Sequence, residues 1–256
     1  MTNLHSNILG EGDKHIIILH GFLGMGDNWK SQGNIFASYG FKVHLLDQRN
    51  HGRSFWKQKF NYNVLVDDLL AYMNKQNISR SIIIGHSMGG KTAMDFSFKY
   101  PERLNKLIVI DISPKKYVFR HDKILNGLAS FNFEMIKSRN EADIHLSLYV
   151  PEIELRQFLL KNLYWISPGK LDLRLNISVL KNSEKEVSRE IKPMKIYKMP
   201  VLFLKGENSD YILNKDLILI DKYFPESNVE IIKNAGHWLH SENQKDFINT
   251  VSAFIN

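Results

Sequence analysis

The stretch that decides the fold is Ile82-Ile83-Ile84-Gly85-His86-Ser87-Met88-Gly89-Gly90-Lys91-Thr92-Ala93-Met94. Three isoleucines bounded by glycine predict a strand covered on both faces, as in a parallel sheet. Gly85-x-Ser87-x-Gly89 then predicts a sharp turn in which the serine backbone is strained and its hydroxyl stands clear of the sheet. The incoming strand and the outgoing helix pass within a side chain's width there, so the flanking positions must lack a Cβ. The helix begins at the serine, and its unpaired N–H groups and positive dipole end face whatever charge develops there. Ser87 is therefore the candidate nucleophile, and the backbone N–H of Met88 one candidate oxyanion donor.

Upstream, residues 2 to 9 and 15 to 19 read as two strands joined by the turn Gly10-Glu11-Gly12-Asp13. The second runs into His20-Gly21-Phe22-Leu23-Gly24-Met25-Gly26. With Asp47 ending the next strand, 41 to 46, this invites a dinucleotide-binding reading. The glycine order, Gly-x-x-Gly-x-Gly, is wrong for it, and Asp27-Asn28-Trp29 gives the third glycine no helix to pack. The alternative is a loop doubling back over the sheet, so that the N–H of Phe22 joins that of Met88 in an oxyanion hole. Asp47 to Ser54, with Arg49, Asn50 and His51, reads as a loop held by its own hydrogen bonds and salt links.

Downstream, a helix is expected from Asn63 to Lys75, and a buried strand at Leu107-Ile108-Val109-Ile110. Asp111 follows that strand, on the ligand-binding edge of a parallel sheet. From Pro114 to about Lys195 strand signals give way to helical stretches at 122–133, 141–150, 152–163 and 183–191. This predicts an α/β fold with a core at 1–113 and 196–256 and an inserted helical cap at 114–195. Phe119, Phe131, Phe133, Phe158, Tyr164 and Trp165 are cap aromatics that either line an apolar pocket or pack between helices. Arg120 and His121 stand near its entrance, facing either a polar substrate group or solvent. Strands resume at 200–204 and 229–232. The last is followed by Asn234-Ala235-Gly236-His237-Trp238, where glycine lets a tight loop swing the imidazole over the serine, and a helix over 244–255 closes the chain.

Composition excludes several classes. Hydrophobic content of 43% and charged content of 24% over 256 residues are those of a soluble globule with a sizeable core. No apolar run is long enough to span a bilayer and no signal-peptide core opens the chain, so a cytoplasmic location is expected. Without cysteine there is no disulfide, thiolate or sulfur-ligated metal, and His237 with His240 lacks further ligands, so neither metal nor cofactor is expected. The net charge of +7 comes from scattered lysines, with no nucleic-acid motif behind it. The partner these features imply is a small-molecule ester or thioester; the oligomeric state is not legible.

Ser87 would attack an acyl carbonyl, His237 would move its proton, and a buried carboxylate would orient the imidazole. Asp111 and Asp210 are both candidates for that carboxylate. A carbon–carbon bond hydrolase, a lyase or a non-catalytic binding protein on the same scaffold are the competing readings.

The stretches HGFLGMGDNW, DQRNHGRS, GHSMGGKTAM, LIVIDISP, FRHDKI, QFLLKN, LRLN, FLKGENS and NAGHWLH, in this order, resemble the YbfF-type esterases of the α/β-hydrolase superfamily over nearly the whole chain. The chain order of oxyanion loop, serine, acid and histidine is also that of the superfamily. In many of its members the acid lies three residues after a glycine following the penultimate strand. From Gly206 that position is Ser209, and Asp210 is one place late. The resemblance implies an α/β-hydrolase fold, activity on acyl esters and acyl-CoA thioesters, Asp111 as the acid, and Ser209 as a supporting group near the histidine. Trp238, beside His237, is a further candidate for substrate contact, as is Trp165. Phe22 is a departure whose bulk beside the hole bears on acyl-chain preference.

Overall fold

The computed structural model describes residues 3–193 and 195–255. Its strands are β1 (Ser6–Leu9), β2 (Lys14–Leu19), β3 (Phe41–Leu46), β4 (Ser81–His86), β5 (Leu104–Ile110), β6 (Leu163–Ser167), β7 (Lys170–Leu173), β8 (Val201–Gly206) and β9 (Ser227–Ile232). Seven of them form one sheet in the order β1-β3-β2-β4-β5-β8-β9. All neighbours in it are parallel except β1, which runs antiparallel to β3. The helices are α1 (Lys30–Ser38), α2 (Tyr62–Lys75), α3 (Met88–Lys99), α4 (Asp122–Ala129), α5 (Arg139–Ser147), α6 (Ile153–Leu160), α7 (Ile177–Lys181), α8 (Glu184–Ser188), α9 (Leu217–Tyr223), α10 (Leu239–Glu242) and α11 (Gln244–Ile255).

The isoleucine run explains why β4 is central. Side chains alternate along a strand, so Ile83 enters the core on one face with Val66 and Leu69 of α2 and Met94 and Phe96 of α3. Ile82 and Ile84 enter the other, with Phe36 of α1 and Phe247 and Val251 of α11. Burying each such isoleucine contributes about 1.5–3 kcal/mol, and a strand so covered leaves only its end for chemistry. A third apolar cluster joins the segment between β5 and β8 to the sheet edge, where Leu125, Leu146 and Leu180 pack with Phe22, Tyr62 and Met88.

The structure corrects three expectations about elements. β1 and β2 do not pair with each other, because β3 lies between them; residue 2 of the expected first strand lies outside the described residues. The segment between β5 and β8 is not purely helical, since β6 and β7 pair antiparallel across Pro168-Gly169. Gly169 takes φ +74 there, a left-handed value that suits a hairpin turn, so Pro-Gly is a reversal as well as a helix stop. The helices of this segment are also shorter than expected, and α7 was not anticipated. Among the described residues no helix is long and apolar enough to cross a membrane.

Candidate active site

Ser87 directly follows β4 and caps α3 with φ 52 and ψ −115. A side chain in that left-handed region costs roughly 1–3 kcal/mol, held in place by the surrounding packing. The crowding is measurable: a Cβ on Gly85 would lie 2.4 Å from the Gly89 carbonyl oxygen, and one on Gly89 2.3 Å from that of Leu19. The Ser87 N–H still donates to Ile110 O at 3.0 Å, so the turn keeps a rung to β5. The N–H groups of Phe22 and Met88 donate to no protein acceptor among the described residues.

Asp111 directly follows β5 in the same way, with φ 47 and its N–H donating to Leu204 O at 2.8 Å. Its carboxylate is fully buried. Three donors compensate it: Gly206 N–H to Oδ1 at 3.2 Å, and His237 Nδ1–H at 2.8 Å and the Ser209 hydroxyl to Oδ2. A carboxylate only accepts, so this bond fixes the imidazole proton on Nδ1 and leaves Nε2 with a free lone pair. Asp210 is by contrast exposed, and its carboxylate takes Arg120 Nη1–H at 2.8 Å. One position along a loop has turned it away from the histidine.

Three partners hold the His237 loop. Glu242 receives the N–H groups of Gly236 at 2.5 Å and Trp238 at 3.2 Å. His86 Nε2–H donates to the His237 carbonyl at 2.9 Å. Burial, helped by the neighbouring His237 and His240, holds His86 far below the usual imidazole range, so it stays neutral. Tyr211 stacks on the His237 ring with centroids 3.7 Å apart and planes 16° apart, and its N–H donates to the Ser209 hydroxyl oxygen at 3.2 Å.

Two cavities meet at Ser87. One, of about 210 Å³, is lined by His237, Trp238, Leu155, Phe158 and Leu159. The other, of about 340 Å³, is lined by Met88, Lys91, Ile112, Tyr117 and Phe119. Phe22, Arg120, His121 and Tyr211 border both. Burial, then His237, pushes His121 down to about 4, and its Nδ1 has no hydrogen-bond partner among the described residues. Trp165 joins neither cavity: it lies on the hairpin, about half exposed at 47%. Phe131 and Phe133 pack on each other at 5.6 Å, and Arg174 covers Tyr164 at 4.6 Å.

A family profile described as alpha/beta hydrolase fold matches residues 14–244. The chain belongs to this family. Among other members, the hydrolase is 35% identical over 247 residues to the sn-1-specific diacylglycerol lipase ABHD11 of Xenopus laevis, which takes in 94% of this chain and 79% of that one. It is 29% identical over 242 residues to esterase YbfF of Escherichia coli, taking in 94% of this chain and 92% of that one. A marine microorganism esterase has the same fold at a TM-score of 0.95 and 41% identity, over 99% of this chain and 100% of that chain.

In the hydrolase, the loop after β3 is the self-bonded structure its polar residues predict. Asp47 accepts the N–H groups of Gly26 at 2.7 Å and Arg53 at 2.8 Å, while Arg49 forks onto Asp68. His51 Nε2 accepts the Leu23 N–H at 3.2 Å, which pins the loop carrying Phe22. The contributions of Glu242, Tyr211 and His86 to holding the His237 loop had no sequence signal of their own. Only Glu242, five residues after His237, stood close enough to suggest a loop anchor.

Proposed function

We propose that this carboxylic-ester hydrolase cleaves acyl esters, and acyl thioesters such as acyl-CoA, with Ser87, His237 and Asp111 as a triad. The observation that carries the reading is the 2.8 Å bond from His237 Nδ1–H to buried Asp111, beside a cavity that Ser87 and His237 both line. His237 Nε2 takes the hydroxyl proton as Ser87 Oγ attacks the carbonyl carbon. The oxyanion of the tetrahedral intermediate receives the unspent N–H groups of Phe22 and Met88. His237 then gives the proton to the departing oxygen or sulfur, leaving acyl-Ser87, and activates a water that releases the acid. Thioesters follow the same path because the attacked carbon and the developing oxyanion are the same.

Residues 114–195 act in this reading as a cap: Phe119 and Phe158 line the two cavities and Tyr117 contacts Tyr211. A fluorophosphonate probe tests the nucleophile. It should label the wild-type protein at Ser87 and leave Ser87→Ala unlabelled and inactive on p-nitrophenyl esters and acyl-CoA of graded length; labelling of the alanine variant places the nucleophile elsewhere.

A further inference from the structure

Lys91 lies one helical turn beyond Ser87, on the same face of α3, and is among the largest fully buried side chains. Buried ammonium groups are costly unless paired. No described carboxylate lies within salt-bridge reach of its Nζ. Two N–H donors go to main-chain oxygens, Ser188 O at 3.4 Å and Arg189 O, and the rings of Tyr117 and Tyr62 lie 4.9 and 5.9 Å away. An ammonium has three donors, so one is left without a protein acceptor among the described residues, and Lys91 lines the larger cavity.

Burial, followed by the repulsion of Arg189 and Lys115 and against the attraction of Glu190, lowers Lys91 to about 7. An anion arriving beside it would restore the charged form. The lining is one-sided in charge: Lys91, Lys115, Lys116, Arg120 and Lys215 against Asp210. Asp210 and Asp216 are held by Arg120 and Lys115, which leaves Lys116 and Lys215 exposed at the rim.

The orientation of the substrate follows if the proposed mechanism holds. His237 must protonate the leaving group, and it lines the smaller cavity and not the larger. The leaving group therefore occupies the smaller cavity and the acyl part the larger, toward Lys91. We propose that Lys91 receives a carboxylate at the far end of the acyl part, making monoesters and monothioesters of dicarboxylic acids the favoured substrates. This assignment rests on the triad reading above.

The test compares monomethyl esters of dicarboxylic acids, from malonate to suberate, with methyl esters of monocarboxylic acids of equal chain length. In the wild-type protein kcat/KM should favour the carboxylate-bearing ester at one or more lengths. Lys91→Met should cut that preference by roughly 10- to 100-fold, as expected for a lost charged hydrogen bond. The ratio is the readout because a merely structural role would lower both substrates together; an unchanged ratio, or a wild-type preference for the neutral ester at every length, overturns the proposal. A second arm uses only the wild-type protein, in case the variant does not fold. Adipate should slow fluorophosphonate labelling of Ser87 at lower concentration than hexanoate, and equal or better protection by hexanoate counts against the assignment. Neutral esters turned over without a carboxylate preference would sink the Lys91 assignment alone, whereas absent labelling and turnover of both substrate types would sink the triad reading.

Discussion

Asp111→Asn gives the sharpest test of the site, because the substitution is nearly isosteric and its consequence follows from three hydrogen bonds. The native carboxylate accepts from Gly206 N–H on Oδ1 and from His237 and Ser209 on Oδ2. The asparagine amide has two ways to sit. With its oxygen toward His237 and Ser209, its NH₂ faces the Gly206 N–H, and buried donors are left unsatisfied at about 1–3 kcal/mol each. With its oxygen toward Gly206, every bond is repaired: the Ser209 hydroxyl rotates to accept, and His237 moves its proton to Nε2. That second arrangement is cheaper, and it removes the lone pair that takes the serine proton in the proposed mechanism. Either arrangement also leaves the imidazolium without its buried counter-charge. Turnover should therefore fall by about 10⁴, the cost of the wrong tautomer in a triad, or about 5.4 kcal/mol at 1.36 kcal/mol per decade. Steady-state hydrolysis of a p-nitrophenyl ester, with thermal melting as a folding control, measures it. Turnover within tenfold of wild type, or a larger loss in Asp210→Asn, would refute the assignment of the acid.

Acid should destabilise the fold through its buried histidines. His20 is lowered to about 4, and His51 and His240 to about 3, each chiefly by burial. The unfolded chain, with imidazoles near 6.5, binds the extra protons first, so stability is full above that value and is lost as pH falls below it. At pH 5 each group costs about 2 kcal/mol, and the three together about 6 kcal/mol, a large share of a typical domain's 5–15 kcal/mol. Urea titrations at pH 7.5 and pH 5 should show that fall, and equal midpoints at the two pH values would mean that these rings are not held neutral. Gly89→Ala should lose activity together with about 1–3 kcal/mol of stability, because the new Cβ would lie 2.3 Å from a backbone oxygen of β2; a fully active variant melting like wild type would mean that the elbow is looser than described.

What the sequence made legible was whatever is encoded locally. The isoleucine run and the elbow glycines predicted β4, the turn and α3, because strand burial and close backbone approach restrict residue types on the spot. The placement of Asp111 and His237 was readable for a related reason, Asp111 following directly on β5 and His237 lying in the short loop after β9. Pairing between distant segments was not readable: nothing in residues 2 to 19 says that β3 will insert between β1 and β2. The β6–β7 hairpin was missed because Pro168-Gly169 serves equally as a helix stop and as a turn. Trp165, singled out on residue type alone, lines neither cavity, while Tyr211, ordinary in sequence, meets His237 only in the folded chain.

Ser87 and Asp111 each occupy the last hydrogen-bonded rung of neighbouring parallel strands, Ser87 N–H reaching Ile110 O and Asp111 N–H reaching Leu204 O. Their coordinates are thus inherited from the stiffest part of the molecule, and the 114–195 segment supplies neither of those tethers. Evolution or an engineer can accordingly rewrite that segment, reshaping its share of the chamber walls, while the spacing between hydroxyl and carboxylate is kept by strand tethers that the rewriting leaves untouched.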